Sequence, residues 1–373
     1  MRLISKDFND DFISVILTGK SRTFISSSLL HSDLAVLADW GGNVWCIDIT
    51  TKKKIWSKKL KKPIIRPFIS YNDKTFAISV NTIYSLCIRT GEFVECYSLK
   101  EICSVVHGNE FLYFNSRNKR GQDSIGKIIQ FDLNNYTTTV ISDDNLKRTF
   151  SEYTRLEICI KESDLWYFAG GVVCYRDIAT GNSKSVLSIE SAERIYSIIQ
   201  LNDSVLVTPE LFDGKPLDPH LSGFNPTSIL QIYSDGTYKE IPGTMNRIRF
   251  PPVASSMTLG PITIVIIGGY LLSFSEDKLL SCFELNSFGN TENKLFINNG
   301  KIYLLSSCSF NEESPSIQGF KLYRLADEYT SLEFVNEYKA YSTGKNFKSC
   351  HFDIYGDKLV IRGDRIFFIL ELK

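Results

Sequence analysis

Few side chains in this sequence have the types and spacing that catalysis requires. The four histidines are His31, His107, His220 and His351. No two of them stand at metal-ligand spacing, and GxSxG, HExxH, P-loop and pre-helical GxGxxG motifs are all missing. Asp213, Asp218 and His220 lie close together and could supply an acid–base pair, but a polar loop gathers such residues by chance. We therefore expect a protein without enzyme activity, metal or cofactor.

Other residues are better suited to binding a partner. The basic candidates are Lys58, Lys59, Lys61, Lys62, Arg66, Arg117, Lys119 and Arg120. The aromatic, acidic and histidine candidates are Phe212, Asp213, Asp218, His220, Phe224, Phe310, Glu312 and Glu313. Aromatic side chains between charges of both signs match the mixed surface of a protein partner. These residues are therefore the predicted partner-binding site.

A repeated β-unit must position these residues. A strand that enters on a β-branched or aromatic residue after a turn recurs near Val44, Ile83, Ile128, Val172, Ile229, Tyr270, Phe320 and Ile366. The mean spacing of about 46 residues is typical of a β-propeller blade with three or four short strands. Only residues 188–200 have a plausible helical turn, with a simple connection as the alternative. We predict an all-β chain, a single propeller domain over residues 1–373 with eight blades, and seven blades as the alternative.

The two ends of the chain predict how the propeller closes. The last unit supplies three strands, at residues 347–354, 358–362 and 365–370. The apolar segment 12–17 precedes the first full unit and has no blade of its own. We expect this segment to be the outermost strand of the last blade, because that pairing removes two exposed sheet edges.

The irregular segments enlarge one particular turn. Five units join their second and third strands by a short turn, such as Trp40-Gly41-Gly42-Asn43. In the third, fifth and seventh units the same turn expands to residues 115–127, 209–228 and 307–319. All three are expected on one face, together with the lysine-rich link at residues 57–66. Long loops on one face of a rigid scaffold usually carry binding, although loops that drifted without function are the alternative.

The first unit carries the most regular motif. Its defining residues are Asp39, Gly42, Val44, Trp45, Ile47, Asp48, Thr51 and Trp56. The second unit keeps Arg89-Thr90-Gly91 and the fourth keeps Asp177-Ile178-Ala179-Thr180-Gly181, but Glu95 and Ser185 replace Trp56. The motif resembles the repeat of pyrroloquinoline-quinone-type propellers, and the resemblance implies a propeller of that superfamily. The cysteine pair and calcium site of its enzymes are not recognisable here, which implies a non-enzymatic member.

Composition limits the other functional classes. The 42 basic and 42 acidic residues cancel, so only local patches can attract a charged partner. The N-terminus lacks the apolar core of a secretory signal, and the longest apolar run, residues 262–274, is too short to cross a bilayer. Nine cysteines without a CxxC pair suggest reduced thiols. We expect a cytoplasmic protein with no membrane contact, and a monomer.

Three functions stay open at this level. The favoured one is a non-catalytic scaffold that binds a protein across the looped face, for example a bacterial immunity protein that neutralises a toxin, a guess from composition. The second is a small-ligand binder or enzyme at the mouth of a central channel, with Asp218 and His220 as acid and base. The third is a nucleic-acid-binding propeller that uses the lysine-rich link and residues 117–120.

Overall fold

The computed structural model describes most of the chain as short β-strands. The described residues are 13–98, 101–117, 127–141, 158–169, 171–189, 192–211, 229–241, 255–267, 270–285, 293–309, 317–326, 329–341, 351–363 and 365–373. These ranges contain no helix. Consequently none of the described segments is a helix that could span a membrane.

The strands follow one another at short intervals. The first nine are β1 (Ile13–Lys20), β2 (Ile25–His31), β3 (Leu34–Asp39), β4 (Asn43–Asp48), β5 (Lys53–Lys59), β6 (Ile69–Tyr71), β7 (Lys74–Ile78), β8 (Thr82–Cys87) and β9 (Phe93–Ser98). The next eight are β10 (Glu101–Gly108), β11 (Phe111–Arg117), β12 (Lys127–Asp132), β13 (Thr138–Ile141), β14 (Ile158–Lys161), β15 (Asp164–Ala169), β16 (Val172–Asp177) and β17 (Ser183–Ser188). They are followed by β18 (Ala192–Gln200), β19 (Ser204–Leu211), β20 (Leu230–Tyr233), β21 (Tyr238–Glu240), β22 (Ser255–Leu259), β23 (Ile262–Ile267), β24 (Tyr270–Ser275) and β25 (Lys278–Glu284). The last seven are β26 (Asn293–Asn298), β27 (Lys301–Ser309), β28 (Ile317–Leu325), β29 (Leu332–Tyr341), β30 (His351–Tyr355), β31 (Lys358–Arg362) and β32 (Ile366–Leu372).

These strands form eight four-stranded antiparallel sheets. Seven sheets are simple meanders, which we call blade 1 (β2–β5), blade 2 (β6–β9), blade 3 (β10–β13), blade 4 (β14–β17), blade 5 (β18–β21), blade 6 (β22–β25) and blade 7 (β26–β29). Blade 8 has the order β1-β32-β31-β30, so the N-terminal strand is its outermost strand. The register of β1 on β32 runs from Ile13 opposite Leu372 to Lys20 opposite Ile366. The predicted eight blades and the closure of the last blade by the N-terminal segment are confirmed.

Strand positions agree closely with the repeat in the sequence. Each of the eight predicted entry residues lies in the third strand of a blade, except Ile229, which immediately precedes β20. The plausible helical turn at residues 188–200 was wrong, because Ala192–Gln200 is strand β18. This strand shifts register twice against β19, between Ala192 and Arg194 and between Ile195 and Ile198. The bulges interrupt the two-residue alternation and leave Ile195, Ile198 and Ile199 at a helix-like spacing.

The chain divides into two compact units. Unit 1 comprises Met1–Leu99 and Ser287–Lys373, and holds blades 7, 8, 1 and 2. Unit 2 comprises Lys100–Asn286 and holds blades 3 to 6. The single domain over residues 1–373 stays a prediction.

The core of unit 1 lies between successive sheets. One apolar cluster joins blades 1 and 2, another joins blades 8 and 1, and a third joins blades 7 and 8. A buried polar contact accompanies them between blades 8 and 1, where Arg362 Nε donates to Ser28 Oγ at 3.1 Å. Ser28 in turn donates to the Asp353 carboxylate. The Arg362 guanidinium is thus buried with a hydrogen-bond acceptor, as a buried charge requires.

Unit 2 is built in the same way. Its apolar clusters lie between blades 3 and 4, between blades 4 and 5, and between blades 5 and 6. The Asp277 carboxylate links blade 6 to blade 5, accepting from the backbone of Asn202 and Asp203 at 3.3 and 3.0 Å and from Ser204 Oγ at 3.1 Å. Each unit therefore combines apolar layers with a few fixed polar contacts between blades.

Candidate binding face

The candidate site begins at the turn between β3 and β4. Asp39 is 1% exposed at the end of β3 and accepts hydrogen bonds from Ser21 Oγ at 2.8 Å and from the backbone of Asn43 at 3.0 Å. Burial raises the pKa of Asp39, but the hydrogen bonds from Asn43 and Ser21 outweigh burial and hold the pKa below its ordinary value of 3.8. The carboxylate is ionised at neutral pH and fixes the turn.

Trp40 occupies this fixed turn. Its backbone N–H donates to Phe24 O at 2.9 Å, and its ring lies 5.3 Å from the Phe24 ring, centroid to centroid. The side chain is nevertheless 60% exposed. Among the described residues the indole N–H has no acceptor, in contrast to the indole of Trp56, which donates to Ile88 O at 2.8 Å. A large amphipathic side chain is thus held in water by a rigid backbone.

The lysine-rich link runs beside this turn. Its apolar residues Leu60, Ile64 and Phe68 are buried, whereas Lys61 and Lys62 between them are exposed. The link is pinned by Leu60 N–H, which donates to Gly42 O at 2.8 Å, and by Phe68 N–H, which donates to Ser27 Oγ at 2.9 Å. Lysines therefore project from a backbone whose position is set by buried neighbours.

Gly42 is required where the link crosses the turn. Its φ of +80° is a left-handed conformation that glycine adopts at little cost. A Cβ at this position would lie 2.9 Å from Leu60 O and 3.1 Å from Lys62 O. The glycine of the motif thus allows the lysine-rich link to approach the β3–β4 turn closely.

The predicted basic residues of the link form a cluster. Lys58 and Lys59 are the last residues of β5 rather than part of the link, which corrects the predicted boundary. Lys58, Lys59, Lys61 and Lys62 are all exposed and Arg66 is half-buried. Lys59 donates to Gly41 O, and Lys61 lies 3.6 Å from the carboxylate of Glu95. An exposed ion pair of this kind contributes little to stability, so the lysines are available to a partner.

Structure adds cations that the sequence did not single out. Lys20 ends β1, Arg22 lies in the link between β1 and β2, and Arg365 lies between β31 and β32, and all three are exposed. Ser21 N–H donates to Arg365 O at 2.8 Å, which holds these segments together. Ser21 Oγ also contacts Asp39, so the segments are continuous with the Trp40 turn.

A second exposed apolar residue lies at the other end of the link. Val80, in the turn between β7 and β8, is 43% exposed. The backbone N–H groups of Ile65 and Arg66 approach Ile78 O at 3.1 and 3.3 Å, so this turn is joined to the link. We call the set Lys20, Arg22, Trp40, Lys58, Lys59, Lys61, Lys62, Arg66, Val80 and Arg365 the basic face.

Charge on the basic face is strongly one-sided. Asp39 in the turn is buried and engaged, and the exposed Glu95 on β9 lies 3.6 Å from Lys61. The face combines seven exposed cations and the half-buried Arg66 with two exposed apolar side chains, within a chain whose total charge is zero. The patch is therefore a local feature, and a sequence scan for clustered lysines finds only its central part.

Of the remaining predicted site residues, Arg117 is the one within the described part of the chain. Arg117 is the last residue of β11, where it lies opposite Glu101 in unit 2 rather than within a loop. Strands likewise extend into the other predicted loops, because β19 reaches Leu211, β27 reaches Ser309 and β28 starts at Ile317. The predicted residues outside the described ranges are Lys119, Arg120, Phe212, Asp213, Asp218, His220, Phe224, Phe310, Glu312 and Glu313. Their common location on one face stays a prediction.

The described nucleophiles and histidines are dispersed. His31, His107 and His351 lie in blades 1, 3 and 8. Burial raises the pKa of the Cys46 thiol to about 12, and burial also raises the pKa of Cys159. Both thiols are protonated at neutral pH and resemble small core residues. Within the described part of the chain, no three His, Cys, Asp or Glu side chains cluster as metal ligands would.

Comparisons with known proteins identify the fold alone. No protein-family model matches the chain, and no curated protein matches it in sequence. The computationally designed protein Ika8 superposes with a TM-score of 0.63 at 11% identity, over 96% of this chain and 99% of Ika8. The N-terminal domain of Nup159 superposes with a TM-score of 0.51 at 13% identity, over 97% of this chain and 95% of that domain. The fold is an eight-bladed β-propeller.

Two further solved structures match this chain at lower TM-scores. A chain of the S. cerevisiae complex in which Dbp5 is bound to Nup159, Gle1, IP6 and ADP matches with a TM-score of 0.50, at 13% identity, over 97% of this chain and 95% of that one. BamB from Moraxella catarrhalis matches with a TM-score of 0.46 at 14% identity, over 75% of this chain and 82% of BamB. These values are too low to assign a superfamily, so membership of the quinoprotein-type propellers stays a prediction.

Proposed function

We propose that this chain is a non-catalytic scaffold that binds a protein partner, and that the basic face is part of its binding surface. The observation that carries the proposal is Trp40, a large side chain 60% exposed on a turn that hydrogen bonds to the buried residue Asp39 hold in place. Tryptophan is among the residues that most often dominate the energy of a protein interface. A rigid anchor also loses little conformational entropy when it binds.

The similar structures are consistent with a binding role. Nup159 occurs in a complex with the proteins Dbp5 and Gle1. Because one fold hosts many functions, this likeness alone cannot assign a partner. The proposal extends to a cytoplasmic monomer without enzyme activity, whose long loops at residues 115–127, 209–228 and 307–319 contribute further contacts. Neutralisation of a toxin by an immunity protein is its most specific form, and composition is its only support.

The experiment is affinity capture with the full chain, followed by reconstitution. Proteins retained from the source lysate are identified by mass spectrometry, produced separately and titrated against the scaffold by isothermal calorimetry. We expect a stoichiometric complex with at least one protein, weakened in Trp40→Ser. Lys53→Ser/Lys54→Ser is the matched control, because these exposed lysines lie at the other end of β5.

Two results would overturn the proposal. One is the failure of every captured protein to form a stoichiometric complex with the purified scaffold. The other is a complex whose affinity is unchanged both in Trp40→Ser and in a variant with Phe212, Phe224 and Phe310 replaced by serine. The second result would exclude both the basic face and the long loops from the binding surface.

A further inference from the structure

We infer that the basic face binds an acidic segment of a protein partner, with apolar side chains of that segment packed on Trp40 and Val80. This inference rests on the proposed function and names the chemistry of the partner. It combines three observations: the one-sided charge of the face, its apolar centre and the unpaired indole N–H of Trp40 within the described structure.

Charge complementarity selects an acidic segment. Seven exposed cations face solvent, whereas the exposed acid that the described structure pairs with one of them is Glu95, beside Lys61. Two unit charges that attract across water do so only weakly, so one pair cannot hold a partner. Several pairs acting together can do so, and they also speed association at low salt.

The apolar centre adds an anchor to this charge. Trp40 and Val80 are the large apolar residues of these turns that stay in water, at 60% and 43% exposure. Their turns are joined through the link, by Leu60 N–H to Gly42 O on one side and by Ile65 N–H to Ile78 O on the other. Aliphatic side chains of the partner that pack on each of these residues would remove both from water. The indole N–H can then donate to a carboxylate or carbonyl of the same segment.

A protein segment fits this face better than a nucleic acid. Single-stranded nucleic acids bind through several aromatic rings on which successive bases stack. The described basic face offers one exposed ring, and that ring is tilted by 55° against Phe24. Val80 has no flat surface for a base. Five of the eight cations are lysines, which lack the planar fork with which arginine holds phosphate.

The test uses short fluorescein-labelled synthetic peptides and the full chain. The acidic probe alternates Glu with other polar residues around a central Leu-Leu pair. One control peptide has Gln in place of every Glu, a second has Ser in place of both Leu, and a single-stranded DNA of matched charge is the third probe. Binding is followed by fluorescence anisotropy between about 50 and 200 mM salt.

We expect the acidic Leu-containing peptide to bind most tightly and to weaken as salt rises. Trp40→Ser should reduce its affinity about tenfold, which equals about 1.4 kcal/mol. The peptide with Ser in place of Leu should be weaker by a similar factor and should be indifferent to Trp40→Ser. Lys59→Ser/Lys61→Ser/Lys62→Ser should weaken both acidic peptides. Lys53→Ser/Lys54→Ser and Phe334→Ser should change nothing, since Phe334 is an equally exposed aromatic residue on β29.

The opposite results overturn the inference. They are an acidic peptide that does not bind, binding that ignores both Trp40→Ser and the triple lysine variant, or DNA that binds at least as tightly as the peptide. The last result would make the basic face a nucleic-acid site. If a reconstituted protein complex persists while the acidic peptide fails, the scaffold function stands and only the acidic segment is wrong.

Discussion

The contact between blades 1 and 2 and the contact between blades 4 and 5 pack the outer strand of one blade against the next blade with different residues. Blades 1 and 2 meet at Trp56, which is 8% exposed and whose indole donates to Ile88 O at 2.8 Å. Its ring covers Gly91, where a Cβ would lie 2.5 Å from Trp56 Cδ2. Blades 4 and 5 meet at an exposed residue, Lys184, whose Nζ donates to Ser234 O at 2.7 Å.

The backbone also differs between these two contacts. In the pairing of β5 with β4, the register shift leaves Ile55, the residue before Trp56, without a partner residue on β4. In the pairing of β17 with β16, the register shift leaves Val186 without a partner residue on β16. The carbonyl oxygen of Val186 lies 2.8 Å from where a Cβ on Gly236 would be. Both contacts place a left-handed glycine, Gly91 or Gly236, beside the outer strand of the preceding blade. Loss of the motif tryptophan is therefore compatible with close packing, because a backbone carbonyl can approach the glycine instead.

The largest expected effect comes from removing the tryptophan. Trp56→Ala should lower the free energy of unfolding by about 3–5 kcal/mol, since it leaves a cavity over Gly91. Trp56→Phe should keep most of the packing and lose the hydrogen bond, at a cost of about 1 kcal/mol beyond the smaller ring. Urea denaturation followed by circular dichroism measures both, with Trp40→Ala as the exposed control. A loss below about 1 kcal/mol in Trp56→Ala would mean that the indole does not hold the blades together.

Glycine substitutions separate the indole contact from the backbone contact. Gly91, Gly181 and Gly236 all have positive φ, so alanine costs each about 1 kcal/mol in backbone conformation. Gly181→Ala should cost little more, because its nearest atom would be Arg176 Nη2 at 3.8 Å. Gly91→Ala and Gly236→Ala should each cost a further 1–3 kcal/mol or so, from overlap with Trp56 and with Val186 O.

A double substitution sharpens this result. In a Trp56→Ala background the penalty of Gly91→Ala should fall to that of Gly181→Ala, since the ring that it meets is gone. The penalty of Gly236→Ala should be unchanged in the same background. Equal penalties for all three glycines in the wild-type chain would contradict both overlaps, and a Gly91→Ala penalty that Trp56→Ala leaves unchanged would contradict the difference between the two contacts. The melting temperature and the urea midpoint give the ranking independently.

The repeat was readable in the sequence because its period and its turns are preserved. Val44, Tyr270 and Ile366 enter third strands as predicted, since a tight turn followed by β-branched or aromatic residues is a strong strand signal. The helical turn considered at residues 188–200 was wrong because two bulges in β18 break the alternation of apolar and polar residues that marks a strand. A bulge depends on the partner strand, so local sequence cannot place it.

The binding face was only partly predictable for a similar reason. Consecutive lysines after Trp56 indicated its centre, but Arg22 joins it through the hydrogen bond of Ser21 to Asp39, and Arg365 through the pairing of β1 with β32. Trp40 was recognised as part of a turn rather than as an anchor. A large aromatic residue at the free position of an Asp-x-x-Gly turn was the available signal, because Asp39 and Gly42 fix the backbone while the intervening side chain faces solvent.

The smallest expected effect tests the lysine contact of blades 4 and 5. Lys184 lies 5.5 Å from the centre of the Tyr175 ring and donates to Ser234 O, yet its side chain is exposed. Lys184→Ala should therefore cost below about 1 kcal/mol, the range of an exposed cation–π contact with one surface hydrogen bond. Lys239→Ala is the matched control, because Lys239 lies at the same 5.5 Å from the Tyr233 ring.

The difference between these two lysine variants isolates the contact between the blades. Both lose an exposed cation over a tyrosine ring, so an excess cost in Lys184→Ala reports the hydrogen bond to Ser234 O together with the attraction to the Asp235 carboxylate. We expect that excess to be a few tenths of a kcal/mol, measured by urea denaturation of both variants in parallel. A cost as large as that of Trp56→Ala would mean that Lys184 replaces the tryptophan energetically. A small cost would instead assign the stability of this contact to the apolar layer beneath it, which includes Val173, Val205 and Ile232.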